Sequence, residues 1–86
     1  MAVVRVRGVL KQKAGNLVEH RVDGATLGEL LRSLERAQPA LEGWILDERG
    51  RIRRHINVFV NGEQGEESSP VAADDRIDIL PAISGG

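Results

Sequence analysis

Few residues in this chain have the type and spacing to carry side-chain chemistry. There is no cysteine, which excludes disulfides, thiolate nucleophiles and cysteine metal sites. His20 and His55 are isolated, without metal-ligand spacing, and read as ordinary strand-edge residues. Asp74, Asp75 and Asp78 alternate with Ile77 and Ile79 in a way that fits a turn followed by the solvent face of a strand better than a metal site. Arg49, Arg51, Arg53, Arg54 and His55 form a basic run, but no aromatics are interleaved with it. The whole chain has 12 basic residues against 13 acidic ones and a net charge of −1. The run therefore reads as a solvated loop, and no nucleic-acid partner is expected. No convergent acid, base and nucleophile are visible, which argues against a stand-alone enzyme.

The last residues are Ile83-Ser84-Gly85-Gly86. At an average glycine usage of about 7%, a terminal Gly-Gly arises by chance in roughly 0.5% of chains. An α-carboxyl with a pKa of roughly 3.5 is ionised at neutral pH. It can attack a phosphorus atom, but it is inert toward nucleophiles until it is given a leaving group. Neither glycine has a Cβ, so such a tail can thread a narrow channel and adopt backbone angles closed to other residues. The acyl carbon of Gly86 is open from either face.

These residues must be carried by a small scaffold. A chain of 86 residues, 41% of them apolar, suits one domain with a single core and no large internal cavity. Val4, Val6 and Gly8 alternate with Arg5 and Arg7, predicting a strand within residues 2–10. Gly15 and Asn16 suit a turn, and residues 17–22 predict a second strand, making an N-terminal hairpin. Asp23-Gly24 ends it. Thr26 and Glu29 have capping-box spacing, and Leu27, Leu30, Leu31 and Leu34 form one helical stripe that Pro39 stops. Leu41, Trp44 and Ile45 read as core filler in a short turn or strand, followed by a charged loop over residues 47–55. Ile56, Val58 and Val60 predict a third strand closed by the turn signal Asn61-Gly62. Residues 63–75 are polar and mostly loop. Residues 76–80 form the last strand, with Ile77 and Ile79 inward, and Pro81 leaves the sheet and projects the tail. The expected fold is α+β: a mixed sheet of four or five strands packed on one main helix, with the first and last strands paired at its centre. The division is a domain over residues 1–81 and a flexible tail over 82–86.

Three segments resemble the ThiS/MoaD family of ubiquitin-like sulfur carriers, which has the β-grasp fold. They are Asp23-Gly24-Ala25-Thr26-Leu27-Gly28-Glu29-Leu30-Leu31, Arg54-His55-Ile56-Asn57-Val58-Phe59-Val60-Asn61-Gly62, and Asp75-Arg76-Ile77-Asp78-Ile79-Leu80-Pro81-Ala82-Ile83-Ser84-Gly85-Gly86. The last is the specific one. The likeness implies that a ubiquitin-activating-type enzyme adenylates the Gly86 carboxylate with ATP. A sulfur donor then displaces AMP, leaving a covalent 1-thioglycine, with no other cofactor bound. Gly85, Ser84 and Ile83 would thread the partner's channel. If Ile56, Val58 and Val60 face the core, Phe59 faces out, and beside Leu80 and Pro81 it would form the patch that meets the partner.

The longer branch of the family, which includes the cysteine-biosynthesis carriers and the molybdopterin synthase small subunit, is the nearer likeness. Cysteine or a specialised sulfur metabolite is the favoured product. The sulfur-accepting partner would then be a cysteine-synthase-like enzyme, or in the alternative the molybdopterin synthase large subunit. A ubiquitin-like modifier conjugated to lysines is a further alternative, since it would use the same acyl-adenylate. A β-grasp interaction domain that never reacts is a weaker one. The N-terminal residues do not read as a secretory signal and no stretch has membrane-spanning length, so a cytoplasmic protein without a membrane partner is expected.

Overall fold

Thr26 opens the main helix as the sequence predicts. A computed structural model describes residues 1–13, 15 and 18–81. In it Thr26 is extended (φ −123°, ψ 162°) and its hydroxyl accepts the Glu29 N–H at 3.3 Å. The Glu29 carboxylate reaches back to accept the Ala25 N–H at 3.1 Å, one residue further out than the N-cap itself. The helix, Leu27–Ala37, is α2 in chain order. Leu27, Leu30, Leu31 and Leu34 are fully buried on its inner face. Gly24 passes so close to this helix that a Cβ there would lie 2.5 Å from the Leu30 amide nitrogen. The Gln38 N–H donates to Leu34 O, and Pro39 begins a single 3-10 turn, Pro39–Leu41.

The sheet has five strands: β1 (Ala2–Val6), β2 (Glu19–Val22), β3 (Ile56–Val60), β4 (Glu63–Gln64) and β5 (Arg76–Pro81), in spatial order β2-β1-β5-β3-β4. β1 and β5 run parallel at the centre, with Val4 opposite Ile77 and Val6 opposite Ile79. β5 is antiparallel to β3, with Val58 opposite Ile79 and Val60 opposite Ile77. Alternation then puts Val4, Val6, Val58, Ile77 and Ile79 on one face, buried under α2. This is the β-grasp arrangement. The Asn61-Gly62 turn joins β3 to β4 through two residues at positive φ (52° and 88°), the twist that a two-residue hairpin needs.

Four expectations are corrected. β1 stops at Val6, and Gly8 does not continue its inner face. At φ 64° Gly8 instead starts a short helix, α1 (Val9–Lys13), whose Leu10 is buried in the core. Trp44 is not core filler. Leu41 and Ile45 take the inside positions, and Gly43 (φ 80°) turns the chain between them. Trp44 is left 42% exposed, with the Lys13 ammonium 4.0 Å from its ring centroid. Pro81 does not leave the sheet either: it is the last residue of β5, opposite Ile56. The second strand is shorter than predicted, beginning at Glu19. Asn16, Leu17 and the predicted tail, residues 82–86, lie outside the described residues.

Carboxylates hold the long 42–53 connection. Glu35 Oε2 accepts the Ile45 and Leu46 N–H groups at 3.1 and 2.9 Å. Glu67 accepts the Ile52 N–H at 2.6 Å. Glu35→Ala strips both donors at the edge of the core and is expected to cost about 1–3 kcal/mol in urea unfolding. Glu35→Gln keeps an oxygen acceptor and should recover most of that loss.

Asp75 and Asp47 cap turns. Asp75 accepts the Ala72 N–H at 2.8 Å and the Asn61 side-chain amide at 2.9 Å, and these bonds hold its carboxyl below the ordinary range. Asp47 is lowered in the same way, first by the Arg51 N–H and then by that of Arg49. In the unfolded chain both protonate near an ordinary value of about 3.9. Their contribution is therefore complete above that pH and is lost as pH falls through the lower folded values. Thermal midpoints measured from about pH 5 down to about pH 2 should fall, and Asp75→Asn should make that fall shallower.

Candidate functional site

The outer face of the sheet, opposite α2, carries the residues that the core leaves behind. Arg5 on β1, Asp78 on β5 and Phe59 on β3 form one row across three strands, because Asp78 is paired with Arg5 on one side and Phe59 on the other. Two residues along β5, Leu80 lies opposite Asn57. Arg5, Phe59, Asp78 and Leu80, with Arg7, Gly62 and Arg76, line an open concavity of about 590 Å³. Its floor is Phe59 and Leu80, both half-buried.

The structure therefore brings together Phe59 and Leu80, which sequence reasoning paired. Pro81 follows Leu80 on β5 and lies 3.2 Å from where a Cβ on Gly8 would stand. Ile83, Ser84, Gly85 and Gly86 lie outside the described residues. Sequence reasoning missed the arginine rim. Its signal was present in the alternation of Arg5 and Arg7 with Val4 and Val6, but only the β1–β5 pairing places these beside Arg76 and the Phe59 patch.

Charge on this face is partly matched. Arg5 Nη2 lies 3.0 Å from Glu19 Oε1, while the Arg5 Nε is buried with no hydrogen-bond partner. Arg76 Nε lies 3.9 Å from Asp78 Oδ2, close enough for attraction but too long for a hydrogen bond.

The other candidate groups are used structurally or stay apart. Asp75 caps its turn and Asp78 lies on the outer sheet face. The described residues contain no group of three His, Cys, Asp or Glu arranged to hold a metal ion. In the basic run, the Arg49 and Arg51 amides cap onto Asp47 and the Arg53 guanidinium donates to Gly43 O. His55 is exposed, beside Gly43, Trp44 and Arg53. His20 lies on β2 opposite Val4. No helix among the described residues is long and apolar enough to cross a membrane.

A mixed five-stranded sheet packed on one main helix, with its first and last strands parallel at the centre, is the fold of the ubiquitin-like proteins. The chain matches the ThiS family over residues 4–86 and belongs to that family. It is 42% identical over 66 residues to small archaeal modifier protein 1 of Haloferax volcanii, a match that covers 76% of each chain. It is 28% identical over 89 residues to the sulfur carrier protein CysO of Mycobacterium tuberculosis, covering 96% of each. A chain in the crystal structure of the Amycolatopsis orientalis BexX/CysO complex superposes with a TM-score of 0.89 at 28% identity, over 100% of both chains. These relatives are small carriers and modifiers, and this chain is of the same carrier or modifier type rather than an enzyme.

Proposed function

We propose that this protein carries sulfur on its C-terminal carboxylate. A carboxylate oxygen of Gly86 attacks the α-phosphorus of ATP in a ubiquitin-activating-type enzyme, and pyrophosphate leaves. A sulfur donor then attacks the acyl carbon, and AMP leaves with the C–O bond electrons. With hydrosulfide as the donor, the new C–S bond replaces the C–O bond to AMP and loss of the S–H proton leaves a thiocarboxylate on Gly86, a soft nucleophile for a second, sulfur-accepting enzyme; a persulfide donor would in addition need a thiol to cleave the S–S bond. Gly85, Ser84 and Ile83 thread the activating site, and Phe59, Leu80 and Pro81 form the docking patch. The observation that carries this reading is the family match that runs through the diglycine to residue 86. Full-length similarity to CysO supports a role in cysteine or specialised sulfur-metabolite synthesis, with a cysteine-synthase-like acceptor.

The test is intact mass spectrometry of protein from its native host, with C-terminal fragmentation. A mass gain of one sulfur in place of one oxygen, located on Gly86, supports the carrier. If Gly86 stays unmodified after incubation with ATP, sulfide and the host's adenylating enzyme, the reading fails.

Identity to small archaeal modifier protein 1 favours a second use of the same acyl-adenylate, an isopeptide bond to lysine of other proteins. High-molecular-weight conjugates that vanish on loss of Gly86 would identify it.

A further inference from the structure

The docking patch is more than apolar. Arg5, Arg7 and Arg76 stand around Phe59 and Leu80, and the acids within reach do not match them. Glu19 engages one end of Arg5 and leaves its Nε without a partner. Asp78 attracts Arg76 from 3.9 Å. Arg7 is exposed, with no ion pair to an acid among the described residues. The concavity thus offers guanidinium donors that its own carboxylates do not use, around an apolar floor. The Arg5 Nε is closed to solvent, so the donors open to a partner are those of the exposed Arg7 and Arg76.

The chemistry of that partner follows from what else is present. A phosphate backbone fits poorly, because Asp78 sits in the middle of the row and the floor is Phe59 and Leu80. The chain as a whole carries a net charge of −1. A protein surface with an apolar centre ringed by Asp and Glu side chains fits on both counts, since planar guanidinium forks pair well with carboxylates. We propose that Arg7 and Arg76 form the electrostatic half of the docking surface for the adenylating enzyme, which presents such an acid-ringed apolar face. This rests on the carrier reading of Gly86.

The test is ATP–pyrophosphate exchange with the host's adenylating enzyme, using the intact protein as the varied substrate at low and high salt. For the double variant Arg7→Glu/Arg76→Glu, KM is expected to rise about tenfold or more with kcat nearly unchanged. The salt dependence of KM should also weaken, because rim charges act mainly on encounter. Arg49→Glu/Arg54→Glu, the same charge change on the distant basic loop, should leave KM unaltered. Arg5 is spared because it also ties β1 to β2, and thermal melts establish that each variant is folded. An unchanged KM for folded Arg7→Glu/Arg76→Glu, while wild type exchanges normally, would overturn the proposal and leave the carrier reading intact. An equal rise in KM for the loop variant would overturn it too, by showing only a net-charge effect. Wild type that supports no exchange at all would sink the carrier reading and the docking proposal with it.

Discussion

Replacing Gly86 with alanine, or adding one residue after it, is expected to abolish activation while leaving the thermal midpoint where it was. The reasoning is geometric. Adenylation requires the terminal carboxylate to meet the α-phosphorus in line, and misplacement by about 1 Å can cost about 100-fold in rate. One extra residue moves the carboxylate by about 3.5 Å. Alanine adds a methyl group directly beside the carbonyl and removes backbone angles that glycine alone adopts easily. A loss of at least about 100-fold in ATP–pyrophosphate exchange is therefore expected for either change. Normal exchange by either variant, with the mass of the variant verified, would mean that the end of the chain is not the reacting group.

The second large effect belongs to the core. Leu30 is fully buried on α2, beside Leu27, Leu31 and Leu34 and above the valines and isoleucines of the central strands. Leu30→Ala is expected to destabilise by about 2–5 kcal/mol, the lost transfer energy plus a cavity. In a domain of this size each kcal/mol shifts the thermal midpoint by about 4–8 °C. Total stabilities run from about 5 to 15 kcal/mol, and small domains bury little surface, so a loss of this size removes a large share of the total. Leu30→Met nearly conserves volume and should cost under about 1.5 kcal/mol. Urea titration of the pair separates volume from mere change of residue. Equal stabilities for Leu30→Ala and wild type would show that α2 does not close this core.

The features legible in the sequence were those set by near neighbours. Thr26 and Glu29 are three residues apart and the leucine stripe repeats at helical spacing, so start, face and end of α2 could all be read locally. Asn61-Gly62 fixed its turn because few other residue pairs tolerate two positive φ angles. The alternation in β1, β3 and β5 showed which residues face in, and so which face out. What could not be read was decided at longer range. Five residues at Val9–Lys13 are too few to show a period, and the glycine and asparagine that follow them look like a plain turn. Leu41, Trp44 and Ile45 are all apolar, and only the positive φ of Gly43 determines that the tryptophan is the one left outside. The arginine rim is assembled from opposite ends of the chain, where no local pattern reaches. Of the candidate site, the Phe59–Leu80 pairing was legible and the charge around it was not.

The position of β5 has a consequence for how the protein is made. The last strand is not an edge added to a finished sheet but its middle, hydrogen-bonded to β1 on one side and β3 on the other. A nascent chain that has released everything before Arg76 still has no sheet centre, and its Val4, Val6 and Val58 have no neighbours at 77 and 79. Folding must wait for almost the whole polypeptide, and the long sequence separation between paired strands makes that step slow relative to helix formation. A chain terminated or clipped before Arg76 loses its central strand together with its terminus. Quality control is thus built into the topology: a chain without β5 cannot complete the fold that the partner would grip, so defective copies would present exposed core to proteases rather than compete for activation.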